Sequence, residues 1–365
     1  MKLGIITFHR AINYGAALQS FALQEALNKM GYDAEVIDYA CEYLEKHYKK
    51  FYNPNGTIKG AISAIIYYPI RSARIIKFKK FREQYIKTSK KKNISRSELS
   101  KLSEEYDYII TGSDQVWNPE QTNYDMSFFL DFVKPMKRIA YAASLGANNP
   151  NLEQKNVFKQ YIRDYKKISV REESSAVYLE ELLDTTIYSV VDPVFLLSIK
   201  DWEKLIGKNP VSDSPYIFVY CLHEKNCYRY AEILASKTGK KIISIPDSIK
   251  VKCSGKKDFR AGVLDFLNYI YYADYVLTDS FHATAFSIIF EKQFNIIMKQ
   301  ERKELNGRLY SIAQKYNLNK SVIKNDDDVE NLGRNIIYDD IRQIKDRDIL
   351  YSKEFIKSIG ENDEN

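Results

Sequence analysis

The sequence predicts an α/β protein made of two doubly wound domains with a cleft between them. Three observations carry this expectation. The 365-residue chain is too long for one ordinary core. Short apolar runs alternate with longer amphipathic ones. Most of the short runs end in small or polar residues, as parallel strands do where a ligand binds at their carboxyl ends.

The elements follow in order. Leu3 to Phe8 reads as a buried strand, too short an apolar run for a signal peptide. Gly15 to Met30 repeats apolar residues at helical spacing and stops at Gly31, and Ala34 to Tyr39 is a second strand, completing a βαβ unit. A basic, helical insertion near 60–100 interrupts the pattern. Strands are then expected at Tyr106–Thr111, Lys137–Ala143, Lys167–Val170 and Tyr188–Val191. Pro193, Pro210 and Pro215 punctuate a connection. A second series runs through Tyr216–Cys221, Lys241–Ile245, Tyr275–Thr278 and Phe294–Met298. The domains are therefore set at 1–195 and 215–325. A charged tail, 326–365, should carry a helix near Ile349–Ile359 and fray beyond Gly360.

Composition narrows the function. Apolar residues at 45% and charged residues at 28% describe a globular protein, and no apolar stretch approaches the roughly 20 residues that span a bilayer. A net charge of +7 favours anionic partners. Nucleic acid is not among them, because no helix-turn-helix, finger or RNA-binding signature accompanies the charge. Twenty-nine tyrosines against two tryptophans suit a cleft for polar ligands, or reflect AT-rich codon usage. Cys41, Cys221, Cys227 and Cys253 form no CxxC and no zinc spacing, so they read as reduced cysteines of a cytoplasmic protein without a metal site.

Loops after strands hold the chemistry-bearing residues. Asp279 or Ser280 can cap the helix after Thr278, which places His282 in a first helical turn where free N–H groups attract an anion. Gly112, Ser113, Asp114 and Trp117 follow another strand; Asp114 could bind a sugar hydroxyl and Trp117 could stack on a sugar face, or they form a turn over a buried Trp. Asn13 and Gly15 open the first helix, in a loop that is neither GxGxxG nor a Walker motif. Ser144 ends a strand. Arg171 ends another, where its fork suits a carboxylate or phosphate, or a salt bridge with Glu172 or Glu173. His9 and Arg10 read as loop residues, Arg10 as an exposed one. Arg71 to Lys92 is strongly basic with an apolar side, suited to an anionic membrane surface or to packing as a solvated basic helix.

Together these stretches resemble the polysaccharide pyruvyl transferase family: Gly4–Thr7 with Asn13–Ala16, Ile110–Asn118, Tyr141–Gly146, Ile168–Glu172, Val191–Val194 and Thr278–Ala283. The resemblance implies a GT-B-like fold of two Rossmann-like domains. It implies phosphoenolpyruvate as donor, and a sugar or lipid-linked oligosaccharide of a cell-surface polysaccharide as acceptor. No cofactor is implied. His282 would be the acid and phosphate partner, and Arg171 the donor clamp. The family commonly has Arg-x-His in the second domain, but this chain has Ser280 in the Arg position, so Lys292 or Arg308 would supply the missing cation. Asp114 or Asp279 would orient or deprotonate the acceptor. Asn13, Gly15, Gly112, Ser113, Trp117 and Ser144 would line its site in the first domain. Two alternatives stay open: a GT-B glycosyltransferase using a nucleotide sugar, and a catalytically silent glycan-binding protein.

Overall fold

The computed structural model describes residues 1–47, 58–146, 150–210, 214–248 and 251–361. The tail beyond residue 361, where fraying was expected, lies outside these. The chain forms two compact units, Met1–Leu197 with Arg347–Asn365, and Ser198–Asp346.

The first unit holds six parallel strands: β1 (Lys2–Ile6), β2 (Asp33–Val36), β3 (Tyr108–Thr111), β4 (Arg138–Ala143), β5 (Lys167–Val170) and β6 (Tyr188–Ser189). Their order is β2-β1-β3-β4-β5-β6. Helices α1 (Tyr14–Lys29), α2 (Glu42–His47), α3 (Ile58–Tyr85), α4 (Leu99–Ser103), α5 (Leu152–Tyr161) and α6 (Glu173–Leu183) connect them. The strands are nearly continuous apolar runs because parallel strands are covered on both faces. The chain passes from β2 back across β1 to β3, so the switch point lies between β1 and β3, outside their carboxyl ends.

Local chemistry sets the junctions. The Asn13 side chain accepts the Ala16 N–H at 3.1 Å and caps α1. Register shifts between β4 and β5 at Ala140–Ala143, where Ala142 takes a left-handed φ of 53°. The Ser169 hydroxyl covers this bulge, donating to the Ala140 carbonyl at 2.9 Å and accepting the Ala142 N–H at 3.2 Å. Such a bulge re-aims the strand end that follows, here Ser144.

The second unit opens with α7 (Ile199–Glu203) and holds β7 (Tyr216–Tyr220), β8 (Lys241–Ser244), β9 (Lys256–Lys257), β10 (Tyr275–Thr278), β11 (Gln293–Ile297) and β12 (Val322–Ile323). All are parallel, in the order β12-β11-β10-β7-β8-β9. Its helices are α8 (Asn226–Thr238), α9 (Val263–Tyr271), α10 (Phe281–Ile289) and α11 (Gly307–Lys315). This switch point lies between β7 and β10. Strands β9 and β12 were not anticipated; at two residues each they are too short for a pattern to show.

The charged tail is not a separate appendage. Helix α12 (Asp339–Lys357) starts ten residues before the helix expected there, with its first eight residues in the second unit and the rest in the first. In the first unit the Ser352 hydroxyl accepts the Val191 N–H at 3.0 Å, and buried Phe355 lies against the Tyr188 ring at 5.2 Å and the Tyr141 ring at 6.2 Å. Phe355→Ala is therefore expected to destabilise the first unit by about 3–5 kcal/mol. Urea unfolding read by Trp117 fluorescence in a Trp202→Phe background checks this.

Candidate functional site

The switch point of the second unit is organised by one carboxylate. Asp279 follows β10 directly and is buried. Its Oδ1 accepts the Leu222 N–H at 2.6 Å, and its Oδ2 accepts those of His223 at 2.8 Å and Glu224 at 2.9 Å. The turn after β7 is thereby fastened to the start of α10. Of the two candidate caps, Ser280 is the one that caps α10, accepting the Ala283 N–H at 3.5 Å. His282, buried, follows in the first turn beside the Phe281 ring.

Cations collect on the same corner. Lys299, only 5% exposed, donates from Nζ to the Asp279 carbonyl at 2.8 Å. Its main chain is clasped by Asn306, whose Oδ1 accepts the Lys299 N–H and whose Nδ2 donates to the Lys299 carbonyl, both at 2.9 Å. Burial pushes the Lys299 pKa down; Arg308 and Arg302 push the same way, against Asp279 and Glu224. His223 is lowered too, first by burial and then by Lys299 and Arg302, against Asp279 and Asp247. Glu224 staples the corner: its Oε1 accepts the Asn226 N–H at 3.0 Å and its Oε2 the Gln300 N–H at 2.9 Å.

Arg308 thus lies within electrostatic reach of Lys299, and Ser280, Asp279 and His282 share the helix start. Lys292 does not join them. It precedes β11, at the amino end of a strand whose carboxyl end carries Lys299, and its ammonium stands over the Tyr271 ring at 5.5 Å. Lys299 and Arg302 were missed. Lys299 follows β11 as Asp279 follows β10, so the rule that ligands sit at carboxyl ends would have found it.

In the first unit the predicted residues form a buried polar network. Arg171 pairs through Nε with Glu172 and through Nη1 with Asp192, both at 2.9 Å. The Ser144 hydroxyl donates to the same Glu172 oxygen at 3.0 Å, and the Ser113 hydroxyl to the same Asp192 oxygen at 3.0 Å. Burial works against the guanidinium, but Glu172, Asp192 and Asp114 outweigh it and raise its pKa. The salt-bridge alternative for Arg171 is therefore present, with Asp192 as the partner that sequence reading missed. Asp114 has a left-handed φ of 76°, and its Oδ1 accepts the Gln115 N–H at 2.9 Å.

Several acceptor-site expectations change. Trp117 is 0% exposed, stacked on Phe129 and edge-on to Tyr165, so its ring packs the core and cannot stack on a sugar. Gly112 leaves room for neighbours: a Cβ there would sit 3.1 Å from Thr7 Cβ. Gly15 is buried within α1, whereas Asn13 is exposed. Arg10 is not an exposed loop residue; it pairs with Asp38 at 2.8 Å and Glu45 at 2.6 Å. Nor are the cysteines all reduced: Cys221 and Cys227 form a disulfide across the turn that Asp279 holds, while Cys41 and Cys253 are free. The cysteines thus no longer argue for a reducing compartment. Among the described residues no group of His, Cys, Asp and Glu could hold a metal ion.

The family model for polysaccharide pyruvyl transferase matches residues 13–298, well over half of the chain. The chain belongs to the polysaccharide pyruvyl transferase family. The switch point of the second unit lies inside the match, whereas β1, one side of the first, precedes it. No curated protein matches the sequence. Among solved structures, a Listeria monocytogenes protein described as a UDP-N-acetylglucosamine 2-epimerase is similar, with a TM-score of 0.53, 12% identity, and coverage of 98% of this chain and 90% of that one. S. aureus MnaA in a co-structure with UDP is similar at a TM-score of 0.53, with 14% identity and coverage of 98% and 95%. At such identities the likeness carries the fold alone, a GT-B-like pair of Rossmann-like domains.

Asp279 is expected to act first as a fastener. Asp279→Ala leaves three N–H groups without their acceptor and should destabilise the second unit by on the order of 3 kcal/mol. Thermal and urea unfolding of a Trp117→Phe background, where Trp202 is the remaining tryptophan, measures the loss.

Proposed function

We propose that this chain transfers the pyruvyl unit of phosphoenolpyruvate onto a hydroxyl pair of a saccharide, forming a cyclic ketal during synthesis of a cell-surface polysaccharide. The observation that supports this best is the corner where Lys299, within electrostatic reach of Arg302 and Arg308, bonds the Asp279 carbonyl just before α10, whose first turn carries His282. Like charges held this close to a buried lysine repel one another, and a ligand with a carboxylate and a phosphate relieves that repulsion. The corner also supplies the cations for which the family's Arg is missing at Ser280.

The chemistry divides among these residues. His282 gives a proton to the methylene carbon of the donor, which becomes a methyl group and leaves a cationic centre at the adjacent carbon. A saccharide hydroxyl oxygen bonds to that carbon, and its proton passes to a neutral imidazole. His223, lowered by burial and neighbouring cations, meets that need. The carbon–oxygen bond to phosphate then breaks. A neighbouring hydroxyl closes the ring on the same carbon, and its proton leaves with the phosphate. Lys299, Arg302 and Arg308 hold the anionic groups throughout. Asp279, with three N–H groups on its oxygens, orients the corner rather than deprotonating the acceptor. Arg171 is a positioning residue of the first unit, acting through the Ser113 and Ser144 loops.

The wild-type protein should release phosphate from phosphoenolpyruvate when offered a panel of free and lipid-linked glycans. His282→Ala should cut the rate by ~10²–10⁴, and Lys299→Met should raise the donor KM with a smaller effect on kcat. Turnover of UDP- or GDP-sugars with none of phosphoenolpyruvate would move the chain to the glycosyltransferases. Binding of glycans without turnover of either donor would make it a silent lectin.

A lipid-linked acceptor would bring the protein to the cytoplasmic face of a membrane, and α3 supports that reading. Its later half packs on α1 through buried Phe78 and Phe81. Earlier along it, Ile65 and Ile66 are 64% and 63% exposed, with Tyr68 and Ile76 also exposed beside a run of basic residues. No helix among the described residues is long and apolar enough to cross a membrane. Surface docking through exposed apolar side chains ringed by Lys and Arg fits this pattern. Neutralising Lys79, Lys80, Lys90, Lys91 and Lys92 should lower sedimentation with phosphatidylserine vesicles at least tenfold, since each basic residue near such a surface contributes about 1 kcal/mol. Unchanged sedimentation would leave α3 a solvated helix.

A further inference from the structure

Beside the cationic corner, the second unit contains a cavity of about 580 Å³ between the carboxyl ends of β7 and β8. His223, Lys225, Tyr228, Asp247, Ser248 and Lys252 line it. Its volume falls in the usual range of about 300–1,000 Å³ for small-molecule sites. Two features give it a chemical preference. Its lining lysines, Lys225 and Lys252, are equal in number to its carboxylates, Glu224 and Asp247, so the lining carries no formal excess of either charge. Donors and acceptors mix around its wall, as a ring of hydroxyls requires, because each hydroxyl both donates and accepts.

A second observation points to a ligand independently. Tyr228 is 5% exposed, and its hydroxyl has no hydrogen-bond partner among the described residues. A buried hydroxyl left so costs free energy that a bound polar molecule would recover.

We infer that this cavity binds a neutral saccharide unit, with Asp247 accepting its hydroxyls and Tyr228 closing the wall. The cavity shares a wall with the corner around Lys299. Asp279 holds the main chain of His223 and Glu224 on the cavity side, and its own carbonyl accepts the Lys299 ammonium on the other. A sugar in the cavity would therefore stand next to the proposed donor, with His223 between them. Identifying this sugar as the acceptor rests on the pyruvyl-transfer reading; the cavity's affinity for saccharides does not.

Saturation-transfer NMR on the full chain, titrated with the methyl glycosides of glucose, galactose and mannose, tests the inference. At least one glycoside should bind saturably. Asp247→Asn should weaken that binding at least tenfold, and Ser248→Trp, which fills the cavity, should abolish it. Tyr228→Phe should weaken it while leaving the Tm unchanged or raised, since the hydroxyl it removes has no partner; a purely structural tyrosine would lower the Tm instead. A thermal-shift titration with phosphoenolpyruvate runs in parallel and should be unaffected by these variants. No saturable glycoside binding by the wild type, with or without phosphoenolpyruvate, overturns the inference, as does binding that all three variants leave intact. Loss of the phosphoenolpyruvate response alone, with glycoside binding retained and sensitive to Asp247→Asn, overturns the donor assignment and leaves the saccharide site standing.

Discussion

The second unit depends on the Asp279 carboxylate. A single buried anion at the end of β10 collects three N–H groups from the turn after β7, more than fifty residues away in sequence. That bonding fixes where α10 begins, and hence where His282 stands. It also explains how a lysine and two arginines can be tolerated near one another: Asp279 and Glu224 are the only counter-charges among the main influences on Lys299. The first unit uses the opposite arrangement. There one buried cation, Arg171, draws in two carboxylates, and through them the Ser113 and Ser144 hydroxyls. In both units a lone ion would be intolerable away from water; paired and hydrogen-bonded, it fastens the loops at a strand edge.

Much of the fold was legible because parallel strands are covered on both faces. Runs such as Tyr275–Thr278 and Lys167–Val170 appear in the structure with the bounds that the sequence suggested. The site was legible only in part. Position after a strand singled out Asp279, Ser280 and His282, which share one helix start. Position cannot say which way a ring faces; of the two readings of Trp117, a surface for sugars or a buried ring, the structure has the buried one, beside Phe129 and Tyr165. Residue type misled for Lys292: it has the charge the chemistry asks for, but at the wrong end of β11. The pairing of Asp192 escaped notice because its partner, Arg171, is 21 residues away and no local pattern links them. The Cys221–Cys227 disulfide escaped because spacing alone does not mark a pair: the two cysteines, six residues apart, flank the turn that Asp279 holds.

The departure from the family pattern at Ser280 also becomes intelligible. An Arg at that position would stand at the start of α10, where the helix dipole opposes a cation. This chain places a cap there instead and brings its positive charge from the ends of β11 and α11. On the proposed reading, an anion would be held by side chains from several segments rather than by a contiguous motif, so such a pocket would depend on tertiary structure.

The helix α12 has a consequence for how the protein is made. The first unit includes residues from both sides of the second, so a ribosome would deliver nearly the whole chain before the partners of Val191, Tyr141 and Tyr188 emerge. The second unit is contiguous and can close as soon as its own residues are available. Once β6 has been made, nascent chains should therefore carry an unfinished sheet edge while the whole second unit is synthesised, exposed to chaperones and proteases, until α12 arrives to cover it.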